Sequence, residues 1–213
     1  GEPHPDVPVI CYQGGLTAAA DGSVLRRVPM DREDIIRLAA MLEARGSICQ
    51  TYSGEKMFCS RLTAEARNYA RITDCEFDVV GNLAEFMRGY GGEFDKLLLI
   101  ASPEQVQTLR AEFMSSGEWP HFKFVFSRPT YLEAIPLGSG KDTAVRFLAE
   151  RLGVPLSQTA AFGDSNNDTD MLRTAGFGVA VGNARDECKR AADFVCAPVS
   201  DDGLAATLES FIM

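Results

Sequence analysis

From Pro136 onward, short apolar runs alternate with helix-length amphipathic runs without interruption. Residues 141–152 read as a helix with Ala144, Val145, Leu148 and Leu152 on one face. Residues 159–162, 178–181 and 194–196 read as strands, and 169–174, 184–191 and 202–211 as the helices between and after them. Short strands that are apolar throughout need cover on both faces, and alternating helices supply it. That order therefore predicts an α/β fold with a Rossmann-like, doubly wound parallel sheet.

The part before Thr130 follows a different rule. Residues 7–11 are an apolar run ended by Gln13-Gly14-Gly15, a strand and a turn. Asp21-Gly22 reads as a hairpin turn. Asp31 can cap a helix whose apolar face is Ile35, Leu38, Ala39 and Leu42, stopped by Gly46. Residues 48–52 and 57–60 flank Ser53-Gly54 as a second hairpin, and Thr63 opens another helix. Leu97-Leu98-Leu99-Ile100 reads as a buried strand, followed by Ser102-Pro103-Glu104-Gln105 as a capped helix start. Residues 122–126 and 131–135 complete an α+β pattern. Tyr52, Phe58 and Trp119 sit in it at positions that suit a core better than a pocket wall. The expected organisation is a partial core over residues 1–19, an inserted α+β domain over 20–130, and the rest of the core over 131–213.

Charge and cysteine content exclude several classes. With 21 basic and 30 acidic residues the net charge is -9, which disfavours nucleic acid or an anionic membrane as partner. No apolar run approaches the ~20 residues of a membrane span, and the acidic, Pro-rich start is unlike a signal peptide. The six cysteines form no C-x-x-C pair, which fits reduced, buried thiols in the cytoplasm. His4 and His121 have no metal-ligand neighbour at useful spacing and read as surface residues.

One loop concentrates the chemistry. Gly163-Asp164-Ser165-Asn166-Asn167-Asp168 joins an expected strand to an expected helix. In open α/β sheets ligands bind beyond the carboxyl ends of the strands, where Asp164 falls. Two carboxylates with amides and a hydroxyl between them are hard oxygen donors, suited to Mg²⁺. Helix capping alone needs one such residue, not six polar or glycine positions in a row. A calcium loop would need Gly and Glu where Thr169 and Ala175 stand. Lys141 follows Gly138-Ser139-Gly140 at a helix start, where free N–H groups and an ammonium suit an anion. The spacing is not that of a P-loop, since Ile135 and Asp142 occupy its first glycine and its Ser/Thr.

These residues resemble the haloacid dehalogenase superfamily of phosphatases, in its Cof-type branch. Residues 161–168 are similar to the branch's acidic motif. Residues 9–15 resemble the strand and turn before its cap, and 131–136 with Lys141 the return from cap to core. Residues 178–184, 191–195 and 202–204 resemble the strands and last helix that follow. The resemblance implies a Mg²⁺-dependent phosphatase acting on a small phosphorylated metabolite through an aspartyl-phosphate. It implies Asp164 as a direct metal ligand and Asp168 as the second acidic residue, holding metal-bound water. It also implies Lys141 as the group neutralising the phosphoryl charge, and Asn167 and Ser165 as phosphate contacts. The inserted domain becomes a cap that selects the substrate.

The chain departs from the branch in one large way. Its one Asp-x-Asp is Asp168-Thr169-Asp170, inside the acidic motif, and the N-terminal Asp-x-Asp of the family's nucleophile is not among the 213 residues. Gln13 also stands where the branch usually has Asn. The expectation is a truncated form, inactive alone, whose partner is its own N-terminal segment and whose sheet leaves apolar surface exposed. The alternative is a non-catalytic phosphate-binding or interaction protein built on the same fold.

Overall fold

The computed structural model describes residues 7–73 and 77–211, so His4 and Cys75 lie outside the described residues. The chain divides into two compact units, residues 1–22 with 139–213 and residues 23–138. They are called unit 1 and unit 2.

Unit 1 opens with β1 (Val9–Cys11) and β2 (Leu16–Ala18), paired antiparallel from Val9↔Ala18 to Cys11↔Leu16. Unit 2 begins with β3 (Val24–Arg27) and α1 (Arg32–Ala44). Asp31 caps α1 by accepting the Asp34 N–H, and the expected face Ile35, Leu38, Ala39 and Leu42 is buried. The hairpin β4 (Ile48–Ser53) and β5 (Lys56–Cys59) is followed by α2 (Ala64–Thr73), β6 (Phe77–Val79) and α3 (Leu83–Gly89). Then come β7 (Lys96–Ile100), α4 (Pro103–Ser116), β8 (Phe122–Arg128) and β9 (Tyr131–Pro136). Ser102 and Gln105 form the expected capping box on α4.

The six strands from β4 to β9 form one sheet in the order β6-β5-β4-β7-β9-β8. Alternation along β7 sends Leu97 and Leu99 into a core shared with α1, α3 and α4. Phe58 and Trp119 join that core, and Tyr52 is also buried. The other face of β4, β7 and β9 buries a polar set. Lys96 Nζ lies 3.4 Å from Glu133 Oε2, with both side chains under one-tenth exposed. The ammonium also sits 4.6 Å from the Tyr52 ring centroid. Burial alone pulls the Lys96 ammonium down, but Glu133 and Tyr69 outweigh it and hold it above its ordinary value.

The domain boundaries differ from those read in the sequence. They fall at 22/23 and 138/139, not at 19/20 and 130/131. The reason is β9, which pairs with β7 on one side and β8 on the other and so belongs to the unit 2 sheet.

Unit 1 resumes with α5 (Lys141–Leu152), β10 (Ala160–Gly163), α6 (Thr169–Thr174) and β11 (Phe177–Ala180). It ends with α7 (Asp186–Ala191), β12 (Phe194–Val195) and α8 (Gly203–Phe211). Strands β10, β11 and β12 pair in parallel, as the alternation predicts. Their core is built mainly from small residues with Leu172, Val179 and Val181. The apolar face of α5 is not buried along its whole length: Leu152 at its end is 64% exposed. Ala144 and Ala149 are the buried positions of that helix, while Val145 and Leu148 are only half-buried. Phe211, Val199 and Leu204 are exposed as well. Among the described residues, no helix is long and apolar enough to cross a membrane.

Candidate active site

Strand β10 ends at Gly163, and Asp164 follows at the carboxyl edge of the parallel sheet. The turn that comes next is short, Asn166–Asp168, before α6 begins. It lets Asp168 fold back onto the strand end. Asp168 Oδ2 accepts the backbone N–H groups of Asp164 at 3.1 Å and Ser165 at 3.0 Å. Its Oδ1 lies 2.5 Å from Lys141 Nζ, at the first residue of α5. Gly163 is required for this closure, since a Cβ there would stand 2.6 Å from Asp168 Cβ.

The two carboxylates therefore differ. Asp168 is buried and both of its oxygens are engaged. Asp164 is exposed, and its backbone carbonyl is fixed by the Arg185 N–H at 2.9 Å, leaving the side chain at the rim. Mg²⁺ binds through one or two carboxylates, with water and phosphate oxygens completing its shell. A single outward carboxylate beside a lysine fits that requirement. Asn167 adds a buried oxygen, Oδ1, that finds no donor among the described residues. Lys141, Asp164 and Asp168 line a groove of about 430 Å³ together with Gln13, Phe162 and Leu204.

The structure brings all five expected residues, Lys141, Asp164, Ser165, Asn167 and Asp168, to one end of the parallel sheet. Two neighbours were not legible in the sequence. Asn167 Nδ2 donates to Gln13 Oε1 at 2.9 Å, across 154 positions of chain. Cys188 is buried, and burial first, then the Asp168 and Asp164 carboxylates, raise its thiol above the ordinary value, against Lys141. It stays protonated at neutral pH and is no nucleophile.

Asp31, Asp34 and His121 in unit 2 are a three-residue group with metal-ligand atoms within 4.8 Å of one another. His121 is exposed, as expected, but it has a partner that sequence spacing hid: its Nδ1 lies 2.8 Å from Asp34 Oδ2. Asp34 Oδ1 also takes Arg37 at 2.8 Å, and Asp31 caps α1. These bonds account for the group as a latch between α1 and the segment before β8.

A family profile described as haloacid dehalogenase-like hydrolase matches residues 3–208. The chain belongs to that family. Among curated relatives of this haloacid dehalogenase-like hydrolase, the 5-amino-6-(5-phospho-D-ribitylamino)uracil phosphatase YcsE of Bacillus subtilis is 38% identical over 87 residues, 41% of this chain and 35% of that protein. The phosphoglycolate phosphatase of Archaeoglobus fulgidus is 45% identical over 69 residues, 32% of this chain and 31% of its own length. Matches to relatives from Haemophilus influenzae and Bacillus subtilis span 43% and 42% of those proteins, less than half their length. The solved structure of TM0651 from Thermotoga maritima superposes with a TM-score of 0.81 at 29% identity, covering 97% of this chain and 76% of that one.

Proposed function

We propose that unit 1 carries the cation- and phosphate-holding part of a phosphatase site that hydrolyses a small phosphorylated metabolite through an aspartyl-phosphate. The observation that carries this reading is the Asp168 carboxylate, which ties Lys141 to the loop that presents Asp164. Membership of the hydrolase family and the phosphatase names of its relatives support it.

In this reading Asp164 holds Mg²⁺, which when bound supplies a Lewis acid for the phosphoryl oxygens. Asp168 keeps Lys141 and the loop in register and would help to hold the cation through water. Lys141 offsets charge on the transferring group, the largest electrostatic task of the step. Ser165 and Asn167 orient the phosphate. Unit 2 acts as the cap that selects the substrate. Free thiols at Cys11, Cys49, Cys59, Cys188 and Cys196 suit the cytoplasm, with no nucleic acid or membrane as partner.

The attacking carboxylate is not supplied by the described Asp-x-Asp. Asp168 is engaged on both oxygens, and Asp170 points to solvent with Arg173 at 3.6 Å. We therefore assign the nucleophile to a segment outside these 213 residues, which acts as the chain's partner, and expect the chain alone not to turn over. Assay against a panel of phosphate esters, with and without Mg²⁺, tests this. Turnover by the 213-residue chain that Asp164→Ala abolishes would refute the assignment. The missing nucleophile also favours a second reading, a non-catalytic phosphate-binding or interaction protein. If a longer protein with an Asp-x-Asp segment still binds phosphate and Mg²⁺ without turnover, the second reading stands.

A further inference from the structure

Unit 2 holds a groove of its own, of about 960 Å³, lined by residues of that unit alone. It lies where the end of β7 and the start of β9 meet α2, α4 and the end of α1. Ile48, Ile100 and Leu109 give it apolar surface. Two positive features border it, and the chain itself consumes both. Arg45 makes a two-point pair with Glu112, at 2.9 and 2.7 Å. The start of α4 is closed by its own capping box, in which Ser102 Oγ takes the Gln105 N–H at 3.3 Å. An anion therefore finds little to hold it here.

The acceptors are in the opposite state. Glu65 on α2 and Glu104 on α4 line the groove without a basic partner among the described residues. Two exposed carboxylates alone would be ordinary acidic surface. Tyr131 is what points to a ligand. It lines the same groove and is only 8% exposed, and its hydroxyl has no hydrogen-bond partner among the described residues. Nor is it one of the unpartnered side-chain oxygens shut off from solvent. A nearly buried hydroxyl in that state is unfavourable until a partner reaches it. The acids are also spaced apart. Glu65, Glu104 and Glu112 do not gather their oxygens within 4.8 Å of one another, as the ligand atoms of Asp31, Asp34 and His121 do. Glu104 and Glu112 stand eight residues apart on α4, about 12 Å along its axis. Spaced carboxylates suit separate cationic groups better than one metal ion. We infer that this groove binds an aliphatic polyamine. Its ammonium groups pair with Glu65 and Glu104 and donate to the Tyr131 hydroxyl, and its methylene stem lies against Ile100 and Leu109. None of these residues belongs to the candidate active site of unit 1.

Calorimetric titration of the 213-residue chain with spermidine, and with butylamine as the single-ammonium probe, tests this. Wild type is expected to bind spermidine about tenfold more tightly than butylamine, which reaches one carboxylate at a time. Glu65→Gln/Glu104→Gln should weaken spermidine by about tenfold. Tyr131→Phe should weaken it roughly fivefold. Its melting temperature should stay unchanged, because the hydroxyl holds no bond within the chain. Glu33 and Glu118 are exposed acids of unit 2 outside the groove. Glu33→Gln/Glu118→Gln removes the same charge and should leave spermidine affinity within about twofold, which separates the groove from general attraction to an acidic chain. Absence of spermidine binding by wild type overturns the inference, as does equal affinity for the two amines. Unchanged affinity in Tyr131→Phe or in Glu65→Gln/Glu104→Gln also overturns it, and so does an equal loss in Glu33→Gln/Glu118→Gln.

Discussion

Unit 2 and unit 1 solve the problem of burying a sheet in different ways. In unit 2 the sheet is covered by α1, α3 and α4, and its core holds Ile35, Leu38, Leu42, Leu97, Leu132 and Phe94. In unit 1 the parallel strands bury alanines, two cysteines and a few branched residues. Among the largest fully buried side chains of the described residues, Leu172 alone comes from unit 1. Meanwhile Leu152, Phe211 and Val199 stand more than half exposed there. Yet unit 1 holds the convergent polar groups. The well-packed unit thus holds most of the large buried side chains, and the thinly packed unit holds the candidate site. Sites that need open, solvated carboxylates take them from regions that are not fully closed.

The strongest challenge to this contrast is to damage unit 2 from inside. Lys96→Ala leaves Glu133 buried without its partner and is expected to cost about 3–5 kcal/mol. The single tryptophan, Trp119, is buried in the unit 2 core and reports the loss in denaturant titrations. If Trp119 fluorescence shows a midpoint unchanged within error, the cluster contributes nothing and unit 2 is no better held than unit 1. A matched leucine pair sharpens the comparison. Leu97→Ala is expected to cost about 2–5 kcal/mol, whereas Leu152→Ala stays within roughly 0.5 kcal/mol. Equal losses in chemical denaturation would erase the difference between the two units.

Alkaline pH probes the same core. Burial, then Glu43, pushes the Cys49 thiol from 9.0 up to about 12. Below pH 9 the thiol is neutral in both states, so nothing is lost. Between 9 and 12 the unfolded chain ionises and the folded one does not, so stability falls by about 1.4 kcal/mol per pH unit. Cys49→Ala should remove that slope, and a slope that survives the substitution rejects the assignment. The smallest effect is expected at the unit 2 surface. The Arg45–Glu112 pair is short, at 2.7 Å, but both side chains are nearly half exposed, so Arg45→Ala should cost about 0–1 kcal/mol. A larger loss in thermal melts would mean that the surface of unit 2, not its core, sets its stability.

Much of this architecture was legible locally. The Asp31 cap, the Ser102–Gln105 capping box, the bounds of α5 and α6, and the Gly163-to-Asp168 loop all follow from side chains acting within a few residues of themselves. What failed involved distance. Residues 131–136 read as a return to the core because their pattern suits any buried strand, and only pairing with β7 and β8 places them in unit 2. Leu152 shares the apolar face of α5 yet stands exposed, because periodicity gives a helix a face but not a neighbour to press it against.

The site divides in the same way. Composition and order placed Asp164 past a strand and Lys141 at a helix start, because strand ends and helix N-termini follow from the local pattern. The sequence could not tell that Asp168 turns inward to hold Lys141 while Asp164 stays exposed, or that a left-handed Gln13 meets Asn167. Those facts depend on where α5 and the β1–β2 turn come to rest against β10. Local propensity decides which elements form, whereas contacts between residues far apart in the chain exist only once the elements have packed. For this reason the sequence determined the kind of site, and the tertiary structure decided which of its groups are spent on holding it together and which remain for a ligand.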